Sequence, residues 1–132
     1  MIKSISHITF IVENMEKTAT FFKKIFNAEE LYSWKNAKYF LIANTWIALN
    51  PWKSLDKKTY NHLAFKVSKK DFLKYEEKIK NLWLEIKKWR KRKEAEAESI
   101  YFYDYDNHLF EIHSGTLEER LKEYNEKRLF LK

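Results

Sequence analysis

The sequence predicts an α+β fold in which one strand-helix-three-strand unit is used twice. Three observations carry that expectation. The run His7-Ile8-Thr9-Phe10-Ile11-Val12 returns as His62-Leu63-Ala64-Phe65-Lys66-Val67. Each run has the period-two character of a strand and is followed by apolar residues at helical spacing. Three further short strand-like runs then follow in each half.

In the first unit, residues 1–50, alternation over 4–12 puts Ile5, His7, Thr9 and Ile11 on one face, and Ser6, Ile8, Phe10 and Val12 on the other. Asn14 is placed to cap a helix whose apolar stripe is Met15, Phe22, Ile25 and Phe26. Strands are expected near 30–34, 38–43 and 45–49. Residues 51–58, around Pro51, read as a linker.

The second unit, residues 59–115, repeats the order. A strand over 60–67 places Tyr60, His62, Ala64 and Lys66 on one face. Ser68 and Asp71 match a capping box, and the helix stripe is Phe72, Tyr75, Ile79 and Leu82. Strands are expected near 84–89, 99–104 and 108–113. Asp104-Tyr105-Asp106-Asn107-His108 fits a three-residue hairpin loop with Asn107 left-handed. That register sets Tyr101 opposite Glu111 and gathers Ser99, Tyr101, Tyr103, Leu109 and Glu111 on one face. Thr116 and Glu119 form a further capping box that opens a last helix, 116–128, with Arg120 in its first turns. The expected whole is one domain over 1–132.

Composition narrows the function classes. Apolar residues are 45% of the chain, enough for a packed core. No apolar run reaches the roughly 20 residues needed to span a bilayer. The absence of cysteine rules out disulfides and thiolate ligands and fits a cytoplasmic setting. The net charge of +7 reads either as a solvated lysine-rich surface or as attraction for an anion. The basic residues are scattered apart from Lys87–Lys93, with no nucleic-acid-binding motif. One glycine, Gly115, stands where average usage gives about nine.

His7 and His62 occupy equivalent positions of the repeat. Aligning Trp46-Ile47-Ala48-Leu49 with Leu109-Phe110-Glu111-Ile112 puts Ala48 where the second half has a carboxylate. Two imidazoles and one carboxylate without thiolates suit a hard-to-borderline divalent ion, and the vacated fourth position leaves room for substrate. Spacing alone leaves this reading level with two ordinary strand histidines. His108, at a turn, and His113, without a repeat partner, read as structural. Thr9, Tyr60, Ser99, Tyr101, Arg90–Arg92 and Arg120 lie near the inferred site and suit a tetrahedral anion, although the run Arg90–Lys93 by itself reads first as a solvated loop.

Five segments carry a resemblance that covers nearly the whole chain: Phe26-Asn27-Ala28-Glu29-Glu30, Tyr39-Phe40-Leu41-Ile42-Ala43, Thr59-Tyr60-Asn61-His62, Ser99-Ile100-Tyr101-Phe102-Tyr103-Asp104 and His113-Ser114-Gly115-Thr116-Leu117-Glu118-Glu119-Arg120-Leu121. On these the chain resembles the fosfomycin-resistance proteins of the vicinal oxygen chelate superfamily, most of all the FosX type. The resemblance implies paired βαβββ modules in a swapped homodimer. It implies a metal, Mn2+ or another divalent ion such as Zn2+, Ni2+ or Co2+, held by His7 of one subunit with His62 and Glu111 of the other. It also implies catalytic roles for Thr9, Tyr101 and Arg120, and a phosphonate pocket drawing on Thr9, Tyr39, Trp46, Tyr60, Arg92, Ser99, Tyr101 and Arg120.

Two departures bear on the nucleophile. Hydrolases of this type place a general-base glutamate just before the segment matching Tyr39-Phe40, and here the aligned position is Ala37 in a shortened connection. Water needs a base, whereas a small thiol such as bacillithiol or cysteine is partly ionised near neutral pH and needs one less. The loop Glu94-Ala95-Glu96-Ala97-Glu98 has alanines where relatives often carry glycine. Hydrolysis, thiol transfer and a non-catalytic anion-binding scaffold are therefore the three expectations.

Overall fold

The computed structural model describes residues 1–91 and 97–131. The order is β1 (His7–Val12), α1 (Met15–Phe26), β2 (Glu29–Trp34), β3 (Ala37–Ile42), β4 (Thr45–Pro51), β5 (His62–Lys66), a single 3-10 turn (Lys69–Asp71), α2 (Phe72–Asn81), β6 (Ile86–Lys91), β7 (Glu98–Tyr103), β8 (Leu109–His113) and α3 (Leu117–Leu131). Two four-stranded sheets result, in the orders β1-β4-β3-β2 and β5-β8-β7-β6. In each, the first and last strands of the βαβββ module pair in parallel and the rest antiparallel. The expected repeat is thus present as topology.

The chain forms two compact units, residues 1–58 with 104–108, and 59–103 with the chain from 109 on. The β7–β8 turn therefore belongs with the first unit, and its polar groups explain why. Asp106 accepts from the Glu13 backbone N–H at 2.9 Å and from Ser54 Oγ at 2.6 Å. Asn107 Nδ2 donates to the Leu55 carbonyl at 2.6 Å. Asp104 accepts from the Asp106 and His108 N–H groups and pairs with His108 Nδ1 at 2.7 Å. His108 is structural, as the sequence suggested, and Asn107 has the expected positive φ of 70°.

In the first unit, α1 covers the sheet face bearing Phe40, Ile47 and Leu49, with the Phe22 and Phe40 rings edge-on at 5.4 Å. In the second, α2 lies against β7 and β8 and buries Phe72 and Ile79 on the face of Ile100, Phe102, Phe110 and Ile112. Phe21, Phe22, Phe40, Phe72, Phe102 and Phe110 are fully buried, each contributing about 1.5–3 kcal/mol of transfer free energy. The cohesive face of each sheet is therefore the helix-covered one. The opposite faces carry His7, Thr9, Tyr39 and Trp46 in one sheet and His62, Ser99, Tyr101 and Glu111 in the other.

Three local expectations are corrected. Ser68 Oγ donates to the Asp71 carboxylate at 2.9 Å instead of accepting an N–H, so the chain enters α2 through a 3-10 turn. That hydroxyl, helped by Lys74, holds the Asp71 carboxyl below its ordinary range. The strand expected at 60–67 starts at His62, because its partner β8 begins at Leu109 and His108 belongs to the other unit. Helix α3 runs on to Leu131. The caps at Asn14, which accepts from Lys17 N at 3.0 Å, and at Thr116, which accepts from Glu119 N at 3.1 Å, form as expected.

Helix α2 ends in a Schellman motif, with Leu84 N–H bonded to the Ile79 carbonyl and Trp83 N–H to that of Lys80. Trp83 occupies the left-handed position at φ 57° while its side chain is 93% exposed. A left-handed L-residue costs about 1–2 kcal/mol, and no burial offsets it here. Trp83→Gly is expected to raise unfolding stability by about 1 kcal/mol in urea titration, after the entropy that glycine adds to the unfolded chain. A loss of stability would show that the indole packs in solution.

Candidate metal centre

The second sheet brings His62 and Glu111 together. Parallel pairing of β5 with β8 sets Ala64 beside Glu111, and antiparallel pairing of β7 with β8 sets Tyr101 beside it on the other flank. His62 Nε2 lies 3.0 Å from Glu111 Oε1. His62 Nδ1 is 2.7 Å from the Tyr60 carbonyl. A carbonyl only accepts, so Nδ1 carries a proton; in the neutral ring Nε2 then turns a lone pair toward the carboxylate, and in the imidazolium it donates to it. Two acceptors at that distance need a proton or a cation between them.

A divalent ion fits this donor pair. Ligand bonds of about 2.1 Å meeting at a right angle put two donor atoms roughly 3 Å apart, which is the separation found. The nitrogen-and-oxygen set suits Mn2+ and its neighbours. Among the described residues no three His, Asp or Glu side chains of the chain are arranged to hold a metal ion. His7 stands in the first unit, its Nδ1 3.0 Å from Ser6 Oγ and its ring 4.2 Å from that of Trp46.

Around His62 the Tyr101 ring packs edge-on at 5.3 Å, and Tyr60 packs edge-on to His62 at 5.0 Å and stacks on Tyr101 at 6.1 Å. Lys87 Nζ stands 4.8 Å over the Tyr60 ring, a cation–π contact. A cleft of about 270 Å³ opens here, lined by His62, Glu111, His113, Thr116 and Arg120 among others. Its floor is a buried carboxylate and one rim is the start of α3, where Arg120 is half-buried.

The remaining expected residues divide between the units. Ser99, Tyr60, Tyr101 and Arg120 share the second unit with His62 and Glu111. Thr9, Tyr39 and Trp46 share one face of the first sheet with His7, through the pairs His7–Trp46, Thr9–Ala48 and Tyr39–Ala48. The Trp46 Nε1–H there is buried without a hydrogen-bond partner. Ala48 holds the position equivalent to Glu111, as the repeat alignment required. Arg92 and most of the loop through Glu98 lie outside the described residues.

His113, expected from the sequence to be structural, borders the candidate site. Ser99 Oγ lies 2.8 Å from Glu111 Oε2 and 2.7 Å from His113 Nδ1, while His113 Nδ1 is itself 3.4 Å from Glu111 Oε2, so the hydroxyl is the shorter of two links from His113 to the carboxylate. The missed signal was periodicity, since residues 111 and 113 point to the same face of β8. The β2–β3 connection is a two-residue turn, Lys35-Asn36, closed by the Trp34–Ala37 pair, so neither the turn nor position 37 bears a carboxylate.

Residues 4–112 match the family model of the glyoxalase/bleomycin resistance protein/dioxygenase superfamily. The chain is 53% identical to the fosfomycin resistance protein FosX of Listeria monocytogenes, over 96% of this chain and all of that protein. A crystal structure of a mutant of that protein, complexed with Mn(II) and 1S,2S-dihydroxypropylphosphonic acid, superposes with a TM-score of 0.89 at 52% identity, covering 94% of this chain and 99% of the other. The metallothiol transferase FosB of Lysinibacillus sphaericus is 36% identical, over 98% of this chain and 95% of that one. The chain belongs to the glyoxalase/bleomycin resistance protein/dioxygenase superfamily, and within it to the fosfomycin-resistance proteins of the FosX type.

Proposed function

We propose that this chain opens the epoxide ring of fosfomycin in a divalent-metal-dependent reaction, with Mn2+ as the ion and Zn2+, Ni2+ or Co2+ as ions the same donors accept. The observation that carries the proposal is the facing pair, His62 Nε2 and Glu111 Oε1, at 3.0 Å in a cleft that Arg120 also lines. His7 is the third ligand, contributed by a second copy of the chain in a swapped homodimer. Two facts support this: the described residues of one chain hold no three-ligand group, and His7 has one ring nitrogen beyond the Ser6 contact. The reaction belongs to the cytoplasm, where a cysteine-free chain meets small thiols and a reducing environment.

A divalent ion bound there supplies Lewis-acid stabilisation of the negative charge that develops on the epoxide oxygen. Arg120 holds the phosphonate by charge-assisted hydrogen bonds, and the Tyr60, Tyr101, Tyr39 and Thr9 hydroxyls fix its orientation. The buried Trp46 Nε1–H is a further donor for it, since a buried donor left unpaired costs about 1–3 kcal/mol. Arg92 completes the anion-binding set. With the phosphonate fixed, one epoxide carbon faces the nucleophile. A carbon–oxygen bond to the ring breaks as the new bond forms, and the proton lost by the nucleophile ends on the released oxygen.

Water is the nucleophile by the FosX likeness and gives the diol. One observation favours a second reading, a small thiol such as bacillithiol or cysteine: the tight Lys35-Asn36 turn and Ala37 bring no carboxylate to deprotonate water. Phosphorus NMR of fosfomycin incubated with the Mn(II)-loaded protein separates these. Diol without thiol establishes hydrolysis, an adduct formed only with thiol establishes transfer, and binding without turnover establishes an anion-binding scaffold.

Arg120→Ala is expected to weaken fosfomycin binding by roughly tenfold to a hundredfold, the loss of about 1.5–3 kcal/mol from a charged hydrogen bond, while Mn(II) affinity stays within about threefold. The opposite pattern would remove Arg120 from the phosphonate site. For the swapped dimer, His7→Ala and Glu111→Gln proteins should each lose tight Mn(II) binding. Refolded together in equal amounts they should recover roughly a quarter of the parental sites, because random pairing makes half the dimers mixed and each mixed dimer keeps one intact site. No recovery would place all three ligands in one chain.

A further inference from the structure

We propose that His113 is a positioning residue that, acting through Ser99, fixes Glu111 so that Oε1 is the oxygen presented beside His62. The inference rests on Glu111 being a metal ligand. It concerns what holds that ligand, and it turns on where three protons sit.

Glu111 is buried at 4% exposure and Ser99 at 1%, so the Ser99 hydroxyl depends on its protein neighbours for hydrogen bonds. Ser99 has a single hydroxyl proton and two close neighbours, Glu111 Oε2 at 2.8 Å and His113 Nδ1 at 2.7 Å. If that proton went to His113, the hydroxyl oxygen would face an ionised carboxylate oxygen with nothing between them. It therefore goes to Glu111, and the hydroxyl accepts from His113 Nδ1–H. The result is a directed chain, His113 to Ser99 to Glu111, ending on Oε2. Oε1 is left to face His62, whose own orientation is set by the Tyr60 carbonyl. Both histidines donate from Nδ1, one anchoring itself and the other anchoring the carboxylate.

The sequence is built to keep the His113 ring in place. A Cβ added at Gly115 would lie 2.7 Å from His113 Nε2 and 3.0 Å from the Ala97 Cβ. The one glycine of the chain stands where the ring needs the space, and its φ is not in the left-handed region. Antiparallel pairing of Ser99 with His113 across β7 and β8 supplies the other constraint.

The test measures Mn(II) affinity by the electron paramagnetic resonance signal of the free ion, with circular dichroism to confirm folding. His113→Ala is expected to raise the dissociation constant by about tenfold or more, the usual cost of losing a group that orients a ligand. His113→Asn, whose amide N–H reaches Ser99 from nearly the Nδ1 position, should return it to within about threefold of the parent, and His113→Gln, one bond longer, should not. Gly115→Ala keeps every polar group but displaces the ring, and should fall with His113→Ala. Affinity within about twofold of the parent in both His113→Ala and Gly115→Ala, or Asn no better than Gln, overturns the proposal. Glu111→Gln serves as the reference: if it binds Mn(II) like the parent, the ligand assignment itself fails, an outcome distinct from failure of the positioning role alone. If His113→Ala does not fold, the Asn and Gln pair decides.

Discussion

The 3.0 Å approach of His62 Nε2 to Glu111 Oε1 is the constraint on which the candidate site depends. With the ring neutral the two atoms repel, and a proton on Nε2 or a cation between them is needed to hold the contact. The surroundings nevertheless enforce it. The Tyr60 carbonyl fixes the imidazole from behind, Ser99 fixes the carboxylate, and Tyr60 and Tyr101 wall the ring with aromatic edges. That held geometry is the basis on which a cation is proposed to sit between the two atoms.

The division of labour between sheet faces makes this affordable. Each module puts its phenylalanines under its helix, so cohesion is supplied on one face and the other is free to carry polar groups. Duplication then gives both sheets the same set of positions, used differently. Where the second sheet has Glu111 in the strand that pairs with β5, the first has Ala48 in the strand that pairs with β1. The histidines are kept in both halves and the carboxylate in one, so the duplicated positions offer three donors, with Ala48 at the fourth.

Much of this was legible in the sequence, because periodicity reports it directly. The two histidine-led strands, the helix caps at Asn14 and Thr116, and the register that sets Tyr101 opposite Glu111 depend on local chemistry and the period of two. What was not legible depended on choices among polar partners. Ser68 gave its hydroxyl to Asp71 because a carboxylate is the better acceptor, which altered the entry to α2. His113 looked structural until Ser99 was seen to bridge it to Glu111, a link that needs the β7–β8 pairing in three dimensions. The scarcity of glycine was visible, but its consequence was not. Asn27, Ala43, Asn44, Trp83 and Asn107 all take positive φ, so turns that glycine would make freely are made by side-chain-bearing residues. The only glycine is spent beside His113.

The account is tested most directly by anomalous diffraction at the manganese edge from crystals grown with Mn(II) and a phosphonate. It predicts one strong peak bonded at about 2.0–2.3 Å to His62 Nε2, to the Oε1 oxygen of Glu111 and to a His7 ring nitrogen, with the phosphonate reaching the open side. A peak elsewhere, or one that leaves the His62–Glu111 pair empty, would contradict it.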